Sequence, residues 1–357
     1  MKKPKNSKRF PNVFFGRYQV WSLSPLEIDE LLENGWFRNG HYVQTTLGRL
    51  IDKSWRPNLM VRVPIEGFSW KKRLRKLLRR NNSCFEVKIG PFQPREEIND
   101  LWSDFKKQVH GWENPSNFSY HVLKGNHPSA FNTHEIAVYN DGKLIAFSIF
   151  DHGQKSIASL EAAYDVSYAS FSLGIFTMLV ELQYCIENGM SYYYPGFYPK
   201  GLPMFDYKLR TGYTEFFRAQ SNEWLPWHEL SEEDWLLETV IKKLNMVSSL
   251  VTEFGFRSSV RVFDNVIFPT SNTSLANYNF HLVAEGKMNN DKALLVQIAH
   301  DPFKNKFFLF KKIILISPES SIGKNYTLVP AELVGGYTSL LALSKSLKKI
   351  LEDGMAP

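Results

Sequence analysis

Apolar residues along this chain fall at helical spacing, then at strand spacing, then at helical spacing again. From Ser24 the run SPLEIDELLENG sets a capping Ser and a first-turn Pro ahead of apolar residues at helical intervals, and Gly35 closes it. A short helix is predicted there, leading into the aromatic segment GWFRNGHYVQ. VRVPIEGF reads as a strand, and in WKKRLRKLLRRNN the residues Leu74, Leu77 and Leu78 recur at i, i+3 and i+4 among cations, the mark of a basic amphipathic helix. Past the prolines at 91 and 94, REEINDLWSDFKKQVHGW repeats the helical period, with Ile98, Leu101, Trp102, Phe105 and Val109 on one face. The Pro-, Asn-, Ser- and His-rich stretch to Thr133 reads as a long functional loop.

The period then shortens to two. HEIAVYNDGKLIAFSIFDHGQKSIASLEAAYD holds two β runs joined by Asn140-Asp141-Gly142, a strong hairpin signal, and a third run over 157–164 completes a meander. SLGIFTMLVELQYCIENG follows as a helix of about five turns, ending at Asn188-Gly189. SYYYPGFYP after it reads as a buried strand. Meander, long helix and further strand is the order of the N-acyltransferase (GNAT) core, so the expected class is α+β with a GNAT-like acyltransferase core. Beyond residue 230, Ser231-Glu232-Glu233-Asp234 resembles a capping box opening a helix to about Leu250, and ALLVQIAH, KFFLFKKIILIS and SLLALSKSLKKILED suggest a small mixed α/β unit. The expected organisation is a basic tail (1–12), a smaller N-terminal domain (13–90), the GNAT-like domain (91–229) and an extra C-terminal α/β region (230–357), with no internal repeat.

Composition narrows the function. With 357 residues, 43% hydrophobic and 15% aromatic, the chain can bury a large core, which excludes the disordered and fibrous classes. A net charge of +7 favours anionic partners. No apolar run follows the basic start that would make a secretory signal, and none approaches the roughly 18 residues of a membrane span, so the expectation is a cytoplasmic protein without a membrane partner. The two cysteines, Cys84 and Cys185, are too far apart in sequence for a zinc or disulfide pattern, and Cys185 falls on the apolar side of its helix. His41, His121, His127 and His134 lack metal-ligand spacing and read as structural, so no metal site is expected.

Residues 172–210 carry the most specific signal. Ser172-Leu173-Gly174 opens a helix; the strand residues Tyr192, Tyr193 and Tyr194 follow, then Gly196-Phe197-Tyr198, then Tyr207-Lys208-Leu209-Arg210. In order and spacing this resembles the signature of the arginyl- and leucyl-tRNA–protein transferases. The likeness extends upstream through EIAVYNDGKLIAFSIFD and, more weakly, to GWFRNGHYV and VRVPIEGFSWKKRLRKLLRRNN, covering about residues 30 to 215. Two departures stand out. Family members usually carry a cysteine cluster between the blocks matched here by Tyr42 and Val61, where this chain has LGRLIDKSWRPNLM and no cysteine; and the Lys-Met pair typical after the aromatic turn is replaced by Met204-Phe205. The first rules out an iron–sulfur or zinc site in that domain by ligand count.

The resemblance implies transfer of an amino acid, Arg or Leu, from charged tRNA to the amino terminus of an acceptor protein with an acidic first residue. Charged tRNA would be the co-substrate, with no other cofactor. The ester is already activated and an α-amine is partly neutral at cytoplasmic pH, so the enzyme has mainly to position its substrates and stabilise charge. On an extended segment Lys208 and Arg210 would face one side, available to an acidic side chain, a phosphate or the oxyanion. Tyr194, Tyr198 and Tyr207 would donate hydrogen bonds or stack on the terminal adenine, with at least one of the three packed instead. Gly196 shapes the turn between them, and Ser172 and Gly174 open a helix whose free N–H groups suit an anion or a carbonyl. Glu161 and Asp165, near the end of the third strand, are candidates for a base or for gripping the α-ammonium. Lys71, Lys72, Arg73, Arg75, Lys76, Arg79 and Arg80 put seven cations in ten residues with no acidic partner, a face suited to a tRNA backbone.

Other readings of the same core stay open. An acyl-CoA N-acyltransferase would show Gln/Arg-x-x-Gly-x-Gly/Ala before the long helix, where this chain has YASFSLGIF. A non-catalytic RNA-binding homologue and a peptidoglycan-type aminoacyltransferase use the same scaffold.

Overall fold

Most elements form where their local signals lie. A computed structural model describes residues 15–51, 54–255, 257–262, 280–289, 292–315 and 332–355; the basic tail expected over 1–12 lies outside the described residues. After β1 (Phe15–Gln19), α1 (Pro25–Glu33) starts with a complete capping box: Glu27 N donates to Ser24 Oγ at 3.3 Å, and Ser24 N to the Glu27 carboxylate at 2.9 Å. β2 (Phe37–Asn39), β3 (Tyr42–Thr46), β4 (Gly48–Ile51) and β5 (Ser54–Pro64) follow. α2 (Lys72–Cys84) buries Leu74, Leu78 and Asn81 and leaves its cations outward. Then come β6 (Glu86–Pro91), α3 (Glu96–His110) and α4 (Phe118–Leu123). α3 buries Ile98 and Trp102, but Val109, expected on the same face, is exposed at the C-terminal end. The stretch read as a long loop contains α4, whose Asn117 side chain accepts from Tyr120 N, and a 3-10 turn at Pro128–Phe131. Its polar residues are caps, and its apolar ones, Phe118, Val122 and Phe131, are buried.

The hairpin of β7 (Thr133–Asn140) and β8 (Lys143–His152) turns on Asp141 and Gly142, both at positive φ, as an Asp-Gly turn requires. β9 (Ser156–Tyr164), α5 (Leu173–Glu187) and β10 (Tyr192–Pro199) complete the core order; β11 (Glu215–Arg218) and β12 (Glu223–Pro226) close the unit. One sheet runs β12-β11-β5-β10-β9-β8-β7-β6, with β4 paired to β5; a second, smaller one runs β1-β3-β2. The antiparallel meander, the long helix and a strand returning parallel to β9 make this an α+β fold with a GNAT-like core. α5 packs on β7–β10 and against α2, which is why nine of its residues are buried and it is apolar nearly all round. α3 and α4 contact each other and α3 packs on β8 and β9, where Phe118 meets Phe147 edge-on at 4.9 Å.

Residues 13–90 and 91–229, read from the sequence as separate domains, share this sheet, because β5 pairs with β10 and β6 with β7. The contacts divide the chain elsewhere: one unit holds Gly16–Thr46 and Asn58–Leu230, the other Leu47–Pro57 and Ser231–Pro357. In the second unit, α6 (Leu236–Glu253) packs on an antiparallel sheet of β13 (Arg257–Val262), β14 (Phe280–Asn289), β15 (Lys292–Asp301), β16 (Lys306–Leu315) and β17 (Glu332–Tyr337), and α7 (Leu340–Met355) follows. The capping box at Ser231 is present but closes a 3-10 turn, Glu232–Asp234; the α-helix proper begins after Trp235. No helix among the described residues is long and apolar enough to cross a membrane.

Candidate active site and nucleic-acid interface

The sheet parts in its middle. β9 and β10 pair in parallel only from Ser156 with Tyr192 to Ala158 with Tyr194, yet β9 runs on to Tyr164 and β10 to Pro199. β10 is steered away by a bulge against β5 between Tyr193 and Gly196, where Pro195 has no N–H to lose and Gly196 takes φ +87°. A Cβ at Gly196 would stand 3.3 Å from the Phe37 ring and 3.5 Å from Lys208 Nζ. A second irregularity, between Ile149 and Phe150 on β8, leaves Leu160 as the extra residue of β9. Among the described residues, the backbone between Ser159 and Tyr164 therefore has no partner strand on its β10 side.

Beneath this opening lies Glu181, fully buried in α5. Tyr193 Oη donates to its Oε2 at 2.7 Å, its Oε1 has no hydrogen-bond partner, and the hydroxyls of Ser148 and Ser159 lie close by. Burial pushes the carboxyl up to about 7. Tyr207, half-buried in the same core cluster, feels the charges of both Glu181 and Glu161; burial first and those carboxylates second push its hydroxyl up to about 12.

On the α5 side a cavity of about 610 Å³ opens between α2 and the start of α5. Five cations line it, Lys71, Arg73, Lys76, Arg80 and Arg210, together with Ser170, Ser172 and apolar stems of both helices, and no carboxylate is among the lining residues. The two walls are tied at Phe171, whose carbonyl accepts from Arg80 Nη2 at 3.2 Å and from the buried Asn81 Nδ2 at 2.8 Å. Ser172, at φ +52°, turns the chain into α5 without a side-chain cap, so the first N–H groups of that helix face the cavity end uncapped by it. Such an end, ringed by cations, attracts phosphate.

The expected site residues divide accordingly. Lys71, Arg73, Lys76 and Arg80 reach the cavity with Ser172 and Arg210; Lys72, Arg75 and Arg79 are exposed on α2 outside its lining. Gly174 packs beside Tyr164 at the end of β9. Lys208 and Arg210 do not face one side: Pro203–Leu209 is a 3-10 helix, so Lys208 turns inward and donates to the Phe197 carbonyl at 2.8 Å while Arg210 points outward. Lys208 thus holds the bulged strand β10 in place. Tyr194 is a core residue, 2% exposed, its hydroxyl accepting from Arg62 Nη1 at 3.4 Å. Tyr198 donates to Asp206 at 2.9 Å and packs edge-on to Trp227. Asp165 is bound to Lys143 at 2.8 Å and caps Ser167, which holds it below the usual carboxylate range and makes it a turn residue rather than a base. Glu161 remains accessible, 3.8 Å from Lys106 Nζ.

Several residues that build the site escaped the sequence reading. Glu181 sat in plain view as the lone carboxylate within MLVEL, inside a helix read as apolar. Arg62 lies between Val61 and Val63 on β5, where it stacks over Tyr192 at 3.9 Å and Trp224 at 4.4 Å and pairs with Glu215 at 2.6 Å. Lys106 gave no local signal, since it lies on α3 among ordinary helix-surface charges.

Residues 97–218 match the family model described as arginine-tRNA-protein transferase, C terminus. An aspartate/glutamate leucyltransferase of Leptospira interrogans is 28% identical over 198 residues, 54% of this chain and 74% of that protein. Proteins of the same name from Helicobacter hepaticus and Campylobacter jejuni are each 25% identical, over 202 and 196 residues, covering 55% and 54% of this chain and 81% and 80% of theirs. Superposition on solved structures gives a TM-score of 0.34 at 10% identity with FemX, covering 49% of this chain and 60% of that one, and 0.26 at 14% with a GCN5-related N-acetyltransferase from Kribbella flavida, covering 40% and 48%.

Proposed function

We propose that this chain works as the arginyl- and leucyl-tRNA–protein transferases it resembles do, moving an amino acid from charged tRNA to a protein amino terminus, and that it transfers leucine to acceptors beginning with Asp or Glu. The leucyl donor and acidic acceptor follow the relatives' names. The observation that carries the reading is the cavity of five cations at the uncapped start of α5, next to the opening between β9 and β10. The tRNA end lies along the cations, and the aminoacyl ester enters the opening. The acceptor nitrogen then forms a bond to the aminoacyl carbonyl carbon, the ester C–O bond breaks, and its electron pair leaves with the ribose oxygen, which takes the proton released by the amine. Charged tRNA is the only co-substrate in this scheme. The chain positions and screens charge; Tyr207 is a partly accessible hydroxyl packed against the same core cluster.

Two measurements test this. In the variant Arg73→Ala/Lys76→Ala/Arg210→Ala the slope of log K for tRNA against log salt should fall in magnitude by about 2 to 3, one unit or slightly less per lost phosphate contact. An unchanged slope removes the cavity from tRNA binding. Offered leucyl-tRNA and arginyl-tRNA side by side with an Asp-initiated peptide, the enzyme should return the leucyl product; arginyl product alone would overturn the donor assignment.

A further inference from the structure

We propose that Lys106 and Glu161 form the pocket that reads the first residue of the acceptor, Glu161 receiving its α-amine and Lys106 its acidic side chain; this rests on the function proposed above. Glu161 lies on the part of β9 that β10 leaves uncovered, so a group bound to it stands at the opening. Lys106 reaches it from α3 across the face opposite α5. Their 3.8 Å separation is longer than a hydrogen bond, an ion pair held apart rather than closed. Aromatic rings surround the lysine: its ammonium stands 3.9 Å from the Trp102 ring centroid, 5.1 Å from Trp112 and 6.0 Å from Phe105. The lysine is buried, but the Glu161 side chain is 33% exposed and Trp112 48%, which leaves an entrance on the carboxylate's side. The surrounding titratable groups add little competing charge. His110 and His121 are held below the ordinary histidine value, by burial first, and so are neutral near pH 7; Tyr207 is likewise uncharged.

An Asp or Glu amino terminus offers a positive and a negative group a few bonds apart. Inserted between Lys106 and Glu161, it exchanges one loose ion pair for two close ones without changing the net charge of the pocket. A basic first residue would set a second cation against Lys106, and a small neutral one would bring it no carboxylate. Discrimination thus comes from a repulsive as well as an attractive element.

Binding in the absence of tRNA tests this independently of transfer. Peptides identical except for a first residue of Asp, Ala or Lys are titrated by calorimetry into the wild type, Lys106→Met, Lys106→Glu and Glu161→Gln. The wild type should bind Asp-first over Lys-first by at least about tenfold; Lys106→Met, which keeps the apolar stem between the rings, should lose the preference, and Lys106→Glu should invert it. Glu161→Gln should weaken all three peptides alike. A Lys106→Met protein that melts like the wild type and keeps its Asp preference overturns the proposal, as does a wild type that binds no peptide. Normal peptide discrimination without any transfer from charged tRNA would instead sink the proposed function and leave this pocket standing.

Discussion

Asp151→Ala is expected to lower unfolding stability by about 3–5 kcal/mol at neutral pH, the cost of leaving a buried guanidinium without its carboxylate. Arg38 and Asp151 are both almost wholly enclosed, and Arg38 spends its donors completely: Nε and Nη2 go to the two carboxylate oxygens at 2.6 and 2.8 Å, Nη2 also to Thr133 Oγ1, and Nη1 to the carbonyls of Gly40 and Val122. Thr133 Oγ1 in turn donates to Asp151 at 2.9 Å. The pair fastens β2 and the α4 end to β8, 113 residues apart in sequence. Removing the carboxylate strands a charge inside; replacing both partners, as in Arg38→Leu/Asp151→Leu, should cost much less, because no charge is then left to desolvate. Urea unfolding of the two variants checks this. If the single variant loses less than about 1 kcal/mol, water reaches Arg38 and the enclosure is not what holds β2 to β8.

Glu181→Gln should stabilise the protein above neutral pH and leave it unchanged below the unfolded value of 4.5. The carboxyl has its folded value raised by burial to about 7 from an unfolded 4.5. A raised carboxyl favours the folded state fully only below the unfolded value; between 4.5 and 7 the unfolded chain ionises while the folded one resists, and stability is lost as pH rises across that window. The difference of about 2.5 corresponds to about 3 kcal/mol. Glutamine keeps an oxygen for Tyr193 and gives the unpartnered Ser148 hydroxyl a donor, so it mimics the protonated acid at every pH. Melting temperatures of both proteins from about pH 4 to about pH 8 should coincide at the acid end and separate by several degrees at the alkaline end. Parallel curves would mean that Glu181 is ionised in the fold throughout.

What could be read in advance was what the chain encodes locally. Ser24 with Glu27, Asp141-Gly142 and the leucines of α2 each act within a few residues, and each formed the expected element. The order of meander, helix and strand then fixed the core topology, and the seven-cation run marked one wall of the cavity. The other wall needed Arg210, and its direction depends on a 3-10 turn set by Pro203, which a reading of 207–210 as extended reversed. Tyr194 was misjudged because alternation on a bulged strand does not say which face is covered; Arg62 covers it. Arg38 lies within the block that resembled the family, and its structural use could not be read there, since its carboxylate lies 113 residues away. Lys106 with Glu161 and Glu181 with Tyr193 are likewise meetings of elements that only folding brings together.

The most direct test of the central claim is a single-turnover transfer reaction with leucyl-tRNA carrying labelled leucine and a peptide beginning with Asp. The wild type should place one leucyl residue in amide linkage on the peptide's α-amine, seen as a shifted amino-terminal fragment by mass spectrometry, with deacylated tRNA formed in equal amount. The variant lacking Arg73, Lys76 and Arg210 should do so with a raised half-saturation for tRNA but the same product. Labelled peptide absent from a wild-type reaction in which tRNA and peptide are both shown to bind would contradict the account.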